Sequence, residues 1–499
     1  MTNRLLRWLW LVLALAVLAR LITLGLYPLM GTTEPRYAEI SRKMLELGDW
    51  VTPWYDWGVP FWGKPPMSFW GSALTMAVFG ANEFGARLGP FLATAASFAL
   101  LWAWPRRADS SQGQQDLPVM AELVCLTSLA GFVSAGAVMT DMFMTLGTTL
   151  CMVAFWRSMN EPGGQGRWGW WFFVGVAVGL LSKGPVATVL TGIAITLWLL
   201  AAGWQPGALQ TRWRMLWQRL PWVGGSLLAA VLTLPWYLLA EHRTPGFLNY
   251  FIVGEHIQRF LVSGWTGDLY GAGHPEARGT IFWFALVGWM PWPVVVPLWA
   301  ALCWRRSSGK AATEDTTAPS NATTHGPGEL AYLAAWVAAP LLFFTVARNI
   351  LPSYVLPGLP AFGLLVAMLG MRAARAKLGA AWLWLASVLM PAAVCIGLYA
   401  NPGFMNDRSQ RDLLTHWSMG EPLVYLAGRP LSADFYSHGQ AVLVDKPAEM
   451  DLWLSGPSQK DGKPVTLVLE RPVYEALTPA QRASWRIVAE HGGYVMLRR

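Results

Sequence analysis

The sequence predicts an all-α polytopic membrane protein of about eleven transmembrane helices, with interfacial helices in the first outer loop and a small C-terminal α/β soluble domain. Three observations lead there. The 499 residues are 54% hydrophobic and only 13% charged, where a soluble chain carries about 25% charged residues; mean hydropathy is +0.36. Apolar runs of roughly 17–25 residues recur, each long enough to cross a hydrocarbon core and too continuous for the alternating strands of a barrel. Past about residue 400 the pattern changes to short β-type runs between turn residues.

The apolar runs lie near 8–29, 84–104, 120–138, 142–157, 169–183, 186–203, 221–240, 281–303, 329–347, 352–371 and 379–400. Basic residues mark every second connection. Arg4 and Arg7 precede the first run, Arg106 and Arg107 follow the second, and Arg157 and Arg167 the fourth. Arg212, Arg214 and Arg219 follow the sixth, Arg305, Arg306 and Lys310 the eighth, and Arg372, Arg375 and Lys377 the tenth. The positive-inside rule then places the N-terminus in the cytoplasm. Residues 31–83 and the loops near 139–141, 183–185, 241–280 and 348–351 fall outside. The net charge of +8 thus reports topology and gives no reason to expect a nucleic acid. The first run has a signal-peptide-like start, but it continues past Arg20 to about Met30, which favours a retained span.

Residues 1–400 form the expected transmembrane domain and 401–499 the expected C-terminal domain on the outer side. The stretch 307–328, with the sequon at Asn321, reads as a flexible cytoplasmic loop. "PLVYLA", "QAVLVD" and "VTLVLE" are expected strands, and "TPAQRASWRIVAEHGGYVMLRR" a short helix followed by a strand. Cys125, Cys151, Cys303 and Cys395 all fall in apolar spans, with no disulfide or metal-ligand spacing.

A chain so poor in charge crowds it into one loop, "GTTEPRYAEISRKMLELGDWVTPWYDWGVPFWGKPP" at 31–66. Tyr37, Ile40, Met44 and Leu47 recur at helical spacing, predicting an amphipathic helix suited to a membrane interface. Pro35 fits its first position, which makes Glu34 the expected N-cap, and a free helix start is an anion site. Glu39, Arg42, Lys43 and Glu46 read as a solvated face; Glu34 and Arg36 are site candidates. Lys64 sits between aromatics in a backbone stiffened by two prolines. Further ionisable residues stand at the outer ends of spans: Asp141, Lys183, Glu255, His256, Arg259 and Arg348. Such groups are costly at membrane depth and mark function by default. A few carboxylates among several cations suit phosphate handling with a carboxylate that moves a proton or holds a metal. His242, His256 and His274 are too irregularly spaced to favour a metal site.

"EPRYAEISRKMLELGDWVTP", "FWGKPPMSFW", "FGANEFGARLGP", "MTDMF", "LSKGPVA", "EHIQRF" and "LPSYVLPGLPAFGLL" resemble, in order, the lipid-linked-sugar glycosyltransferases of the GT-C fold. The likeness covers about residues 5–371 and is greatest to bacterial aminoarabinose transferases of lipid A and the protein O-mannosyltransferase superfamily. It implies a polyprenyl-phosphate sugar donor, an acceptor hydroxyl on the outer face, inversion at the sugar carbon, an interfacial helix pair in the first outer loop and often a divalent metal (Mg, Mn or Zn). It also implies roles by position. Lys64 resembles the lipid-phosphate lysine, Lys183 and Arg259 look like further phosphate-site cations, Asp141 matches a carboxylate of the second outer loop, and Tyr354 lies in the segment closing over the phosphate. Two departures stand out. Thr33 occupies the position of an aspartate in Asp-Glu-x-Arg-Tyr, and Phe61-Trp62-Gly63-Lys64-Pro65 replaces Tyr-Phe-Glu-Lys-Pro.

The expected function is an integral-membrane glycosyltransferase of the bacterial inner membrane with its active site on the periplasmic side. Lipid A, another envelope glycolipid or a protein is the acceptor, and membrane lipids surround the chain. Glu34 is the favoured base, with Asp141 orienting its surroundings or binding a metal. Arg36, Tyr37, Lys64, Lys183, His256, Arg259, Arg348 and Tyr354 form the substrate and phosphate set. A transporter or flippase of lipid-linked sugars is the alternative; it would more often show an inverted repeat and broken midplane helices.

Overall fold

A computed structural model describes residues 3–104, 116–160, 166–201, 207–271, 273–308, 327–375, 380–445 and 464–499. The polar stretch expected at 307–328 lies almost wholly outside them. Each of the eleven apolar runs carries a helix among the described residues. Among the described residues, five helices are long and apolar enough to cross a membrane: Leu6–Thr23, Glu83–Ala103, Trp222–Arg243, Gly328–Val346 and Pro352–Gly370. Thr280–Gly288 and Trp292–Ala301 are long and apolar enough only when taken together, and they are bent by 77° at the break between them. The chain is a mostly helical, multi-pass membrane protein. Other runs form shorter or less apolar helices. In Asp141–Asn160 the Thr145 and Thr148 hydroxyls satisfy themselves on the carbonyls of Asp141 (2.8 Å) and Thr145 (3.1 Å).

The chain divides into two compact units: Met1–Leu21, Phe61–Ser68 and Pro90–Val394, and Ile22–Pro60, Phe69–Gly89 and Cys395–Arg499. In the first, Asp141–Asn160 and Arg167–Lys183 pack through glycines. A Cβ on Gly147 would lie 2.6 Å from the Gly179 nitrogen, and one on Gly175 would lie 2.7 Å from that of Cys151. Small residues spaced four apart (Gly175, Gly179) let two backbones approach where lipid offers no hydrophobic drive. Nearby, Tyr332 stacks on Trp156 with centroids 4.7 Å apart and donates its hydroxyl to the Met152 carbonyl at 2.7 Å. Cys125 and Cys151 are buried free thiols.

In the second unit, helix Thr33–Leu47 ends at Gly48 with φ of 62°, a left-handed cap that favours glycine. Strands β1 (Trp54–Asp56) and β2 (Val59–Pro60) form a small hairpin, and an apolar helix, Met67–Phe79, follows within what reads as loop. The C-terminal segment builds a five-stranded sheet from β3 (Leu423–Leu426), β4 (Ala441–Val444), β5 (Thr466–Glu470), β6 (Arg486–His491) and β7 (Tyr494–Arg498), in the order β4-β3-β5-β7-β6. The first three strands are parallel and the rest antiparallel. Val424 and Leu426 join one apolar cluster and Leu423 and Tyr425 another, so both faces are covered and the strands read as unbroken apolar runs. The last stretch is a hairpin rather than one strand, because Gly492 and Gly493 have φ of 57° and 79°, as a tight two-residue turn requires.

Of the expected solvated face of helix Thr33–Leu47, Glu46 is exposed and the other three residues are buried. Glu39, Arg42 and Lys43 are 3%, 5% and 1% exposed, because the helix packs against Leu431–Tyr436 of the C-terminal segment. The charges survive burial by pairing. Arg42 bonds both Glu39 oxygens (2.7 and 2.8 Å) and Glu46 (2.6 Å). Lys43 reaches the Tyr55 carbonyl (3.1 Å) and Asp56 (3.6 Å), and Arg429 bridges Asp56 (2.6 Å) to Asp434 (3.1 Å).

Candidate active site

A cavity of about 280 Å³ opens in the first unit. Its lining joins Lys64, Lys183, Glu255, His256, Arg259, Asn349 and Tyr354 to Val186, Val189, Phe260, Phe343 and Phe344. Lys64 is placed by its neighbours. The Trp62 backbone N–H donates to the Tyr270 hydroxyl (2.9 Å) and its indole to Thr244 Oγ1 (3.0 Å). A Cβ on Gly63 would come within 2.8 Å of the Phe61 ring, so the glycine makes room for a folded-back aromatic ring. Lys64 Nζ then donates to Glu255 Oε2 at 2.8 Å. Arg259, one helical turn on, bonds both Glu255 oxygens (3.0 and 3.2 Å) and pairs with Asp268 (3.2 Å). Burial would raise the Glu255 pKa, but Lys64 and Arg259 together hold it down at about 2. Burial likewise works against the charge on Arg259, and Glu255 more than restores it.

Lys183 closes helix Arg167–Lys183, and Pro185 starts the next. The reversal needs Gly184, whose φ is 76° and whose Cβ would meet the Phe251 ring at 2.6 Å. Lys183 Nζ donates to Asp141 Oδ1 at 2.6 Å and stands 4.2 Å from the centre of the Tyr354 ring. His256, on the π-helical turn Asn249–Gln258, faces two carbonyl oxygens: Phe251 at 2.7 Å from Nδ1 and Lys183 at 3.1 Å from Nε2. Burial lowers its pKa, with Lys64 adding to the effect, while the two carbonyls and Glu255 oppose it.

Of the residues singled out in the sequence, Lys64, Lys183, His256, Arg259 and Tyr354 meet in this cavity, and Asp141 joins them through Lys183. Arg348 does not line it; its backbone N–H bonds the Phe260 carbonyl (3.1 Å), and its neighbour Asn349 takes the place on the wall. Glu255 was singled out as an ionisable group at an outer span end but given no role in the site, and Asn349 was not singled out. Asn349 donates to the carbonyls of Arg259 (2.6 Å) and Val262 (2.9 Å), fixing the end of the cationic helix.

The other candidates lie in the second unit. Glu34 is inside the helix rather than its cap; Thr32 precedes the first turn. Both Glu34 oxygens accept from the fully buried Arg87 (2.8 and 2.9 Å), whose guanidinium also donates to the carbonyls of Leu24, Tyr27 and Pro28. This fork draws Glu34 away from the helix start. Arg36 lies 5.8 Å from the Tyr55 ring centre, its Nε buried without a hydrogen-bond partner. Tyr37 is buried, edge-on to Phe69 at 5.3 Å.

Among the described residues no three His, Cys, Asp or Glu side chains gather to hold a metal ion. Glu34, Asp141 and Glu255 are each paired with a cation of the chain itself.

Residues 5–251 match the family model described as dolichyl-phosphate-mannose-protein mannosyltransferase. Over 355 residues the chain is 30% identical to the undecaprenyl phosphate-alpha-4-amino-4-deoxy-L-arabinose arabinosyl transferase of Enterobacter sp. (strain 638), covering 70% of this chain and 56% of that one. It is 31% identical over 365 residues to the transferase of the same name from Edwardsiella ictaluri, covering 72% and 58%. The chain thus spans less than two thirds of the length of these relatives. The crystal structure of ArnT from Cupriavidus metallidurans bound to undecaprenyl phosphate superposes with a TM-score of 0.74 at 21% identity, over 98% of both chains. Its apo form gives 0.73 at 21% identity, over 98% of this chain and 97% of that one. In sequence and in fold, the chain is similar to the lipid-linked-sugar glycosyltransferases of the GT-C type, which the aminoarabinose transferases represent.

Proposed function

We propose that the protein is an integral-membrane glycosyltransferase of the bacterial inner membrane. It moves a sugar from a polyprenyl-phosphate donor to a hydroxyl or phosphate acceptor, with inversion. The acceptor is a lipid A, another envelope glycolipid or a protein at the outer face. The chain crosses the bilayer about eleven times with its N-terminus in the cytoplasm, and the C-terminal unit lies outside. The observation that carries this reading is a cavity walled by Lys64, Lys183 and Arg259 together with Val186, Val189, Phe260, Phe343 and Phe344. Cations and apolar side chains in one small space suit a phosphate that carries a lipid.

The donor phosphate takes the place of the Glu255 carboxylate between Lys64 and Arg259. The acceptor oxygen attacks the sugar carbon as its bond to the phosphate oxygen breaks, so the leaving phosphate gains one negative charge. Lys64, Lys183 and Arg259 face that charge, and preorganised contacts of this kind are worth several kcal/mol at the transition state. The acceptor proton goes to a carboxylate, a step worth about 10²–10⁴-fold. Asp141 is the better base. Only Lys183 holds it, and an arriving phosphate competes for that lysine. Glu34 keeps both oxygens on Arg87, which cannot give up its charge. Glu34, Arg36 and Tyr37 shape the loop that carries them.

The test uses purified protein in detergent with labelled polyprenyl-phosphate sugars and an envelope extract as acceptor, beside Lys64→Ala. Label reaching an acceptor with the wild type alone is the expected result. Binding of the donor with no transfer from any sugar removes the transferase reading.

A further inference from the structure

We propose that the cavity takes up its phosphate together with a proton, and that His256 is the group that receives it. The inference rests on the phosphate reading of this cavity. A neutral imidazole has one N–H and one lone pair. Both His256 nitrogens nonetheless face carbonyl oxygens, Phe251 at 2.7 Å and Lys183 at 3.1 Å. In the neutral ring one of these contacts sets a lone pair against a lone pair. In the imidazolium both become donated hydrogen bonds. The Lys183 carbonyl also belongs to the last turn of helix Arg167–Lys183, an end whose dipole favours a cation.

The surroundings decide when the proton binds. Lys64, Lys183 and Arg259 oppose a further positive charge, as burial does; Glu255, Asp141 and the Asp268 partner of Arg259 offset them. The Tyr354 ring stands on the Lys183 side. With the cavity empty, burial and Lys64 hold the His256 pKa below that of an ordinary histidine. A phosphate adds negative charge to a cavity whose Lys64, Lys183 and Arg259 are already paired with Glu255, Asp141 and Asp268, and the balance tips to the imidazolium. The second hydrogen bond then forms, and Nε2–H fixes the Lys183 carbonyl. Lys183 thereby gains a rigid base from which Nζ meets the phosphate. His256 is a positioning residue: it touches the chain that holds Lys183. The proton comes from solvent and returns there when the product phosphate leaves.

The probe is a farnesyl methyl phosphodiester, which has no titration of its own near neutrality. Calorimetry of its binding to the whole protein in detergent, in buffers of different ionisation enthalpy, counts the protons taken up. Wild type is expected to take up a substantial fraction of one proton near pH 7 and to bind up to tenfold more tightly per pH unit lowered across the window. His256→Gln, checked for folding by its melting curve, is expected to bind with no uptake and no such pH slope. Binding by the wild type without proton uptake overturns the proposal while the phosphate reading stands, and that arm needs no variant. Uptake that persists in His256→Gln assigns the proton elsewhere and also overturns it. No binding at any pH overturns both.

Discussion

On the proposed mechanism Glu255 occupies the place that the donor phosphate takes, and Glu255→Gln separates its two effects. The carboxyl falls from an ordinary 4.5 to about 2 in the folded protein. At 1.36 kcal/mol per pH unit this corresponds to roughly 3 kcal/mol of stability at neutral pH. Because the folded value is depressed, that stability is present above about pH 4.5 and is lost as pH falls through about 2. Glutamine keeps the shape but turns two of its hydrogens toward Lys64 or Arg259, donors against donors. The variant should therefore lose about 3 kcal/mol, in line with the 3–5 kcal/mol typical of breaking a buried pair. Thermal unfolding in detergent, followed by intrinsic fluorescence, should show a lower melting temperature. A lipid phosphodiester should restore more of that loss in the variant than it adds to the wild type, and bind about tenfold or more tightly, worth ~1.4 kcal/mol. Tighter product binding then lowers kcat and KM together. An unchanged melting temperature, or weaker binding of the phosphodiester, would refute the view of Glu255 as a stand-in anion.

Asp141→Asn should cut transfer by about 10²–10⁴-fold with little change in donor KM; a loss confined to KM would make Asp141 a mere partner of Lys183. Glu34→Gln should destabilise the second unit by about 3–5 kcal/mol, because it strands a fully buried Arg87. If the purified variant melts like the wild type and has lost only turnover, Glu34 is the base after all. Burial pushes the Asp434 carboxyl up from 3.8 to about 7 despite Arg429. The folded state then holds its proton longer, and stability falls as pH rises from about 4 to 7. Asp434→Asn should flatten that slope in melting curves recorded across the range.

Local pattern carried much of this architecture. All eleven apolar runs are helical, three of the C-terminal strands lie where their composition put them, and "LSKGPVA" and "EHIQRF" do supply Lys183 and Arg259. What stayed hidden depends on partners far along the chain. Glu255 stood among the ionisable residues of the outer face without a role, because Lys64, its partner, lies 191 positions away. The Glu34 N-cap expectation failed for the same reason, since Arg87 is 53 positions on. Glu39, Arg42 and Lys43 have the spacing of a solvated face, and only Leu431–Tyr436, packed over them, makes them interior. Gly492-Gly493 is different: that turn was legible locally, between two β-type runs. Asn349 carries no pattern at all, for its role is to hold two carbonyls on a loop.

The second unit draws on both ends of the chain, and this sets an order on its assembly. The Tyr436 hydroxyl takes the Leu29 N–H at 2.8 Å and donates to Glu83 at 3.0 Å, while Arg429 clasps Asp56. Domains usually fold as they leave the ribosome, N-terminal first. Here the early part must wait: helix Thr33–Leu47 is synthesised long before the strands and turn that bury its charges. Until residues 431–436 are made, Glu39, Arg42 and Lys43 pair among themselves without a roof. A nascent chain halted near residue 400 would hold its apolar helices and lack the strands and the helix Leu431–Tyr436 that complete the second unit.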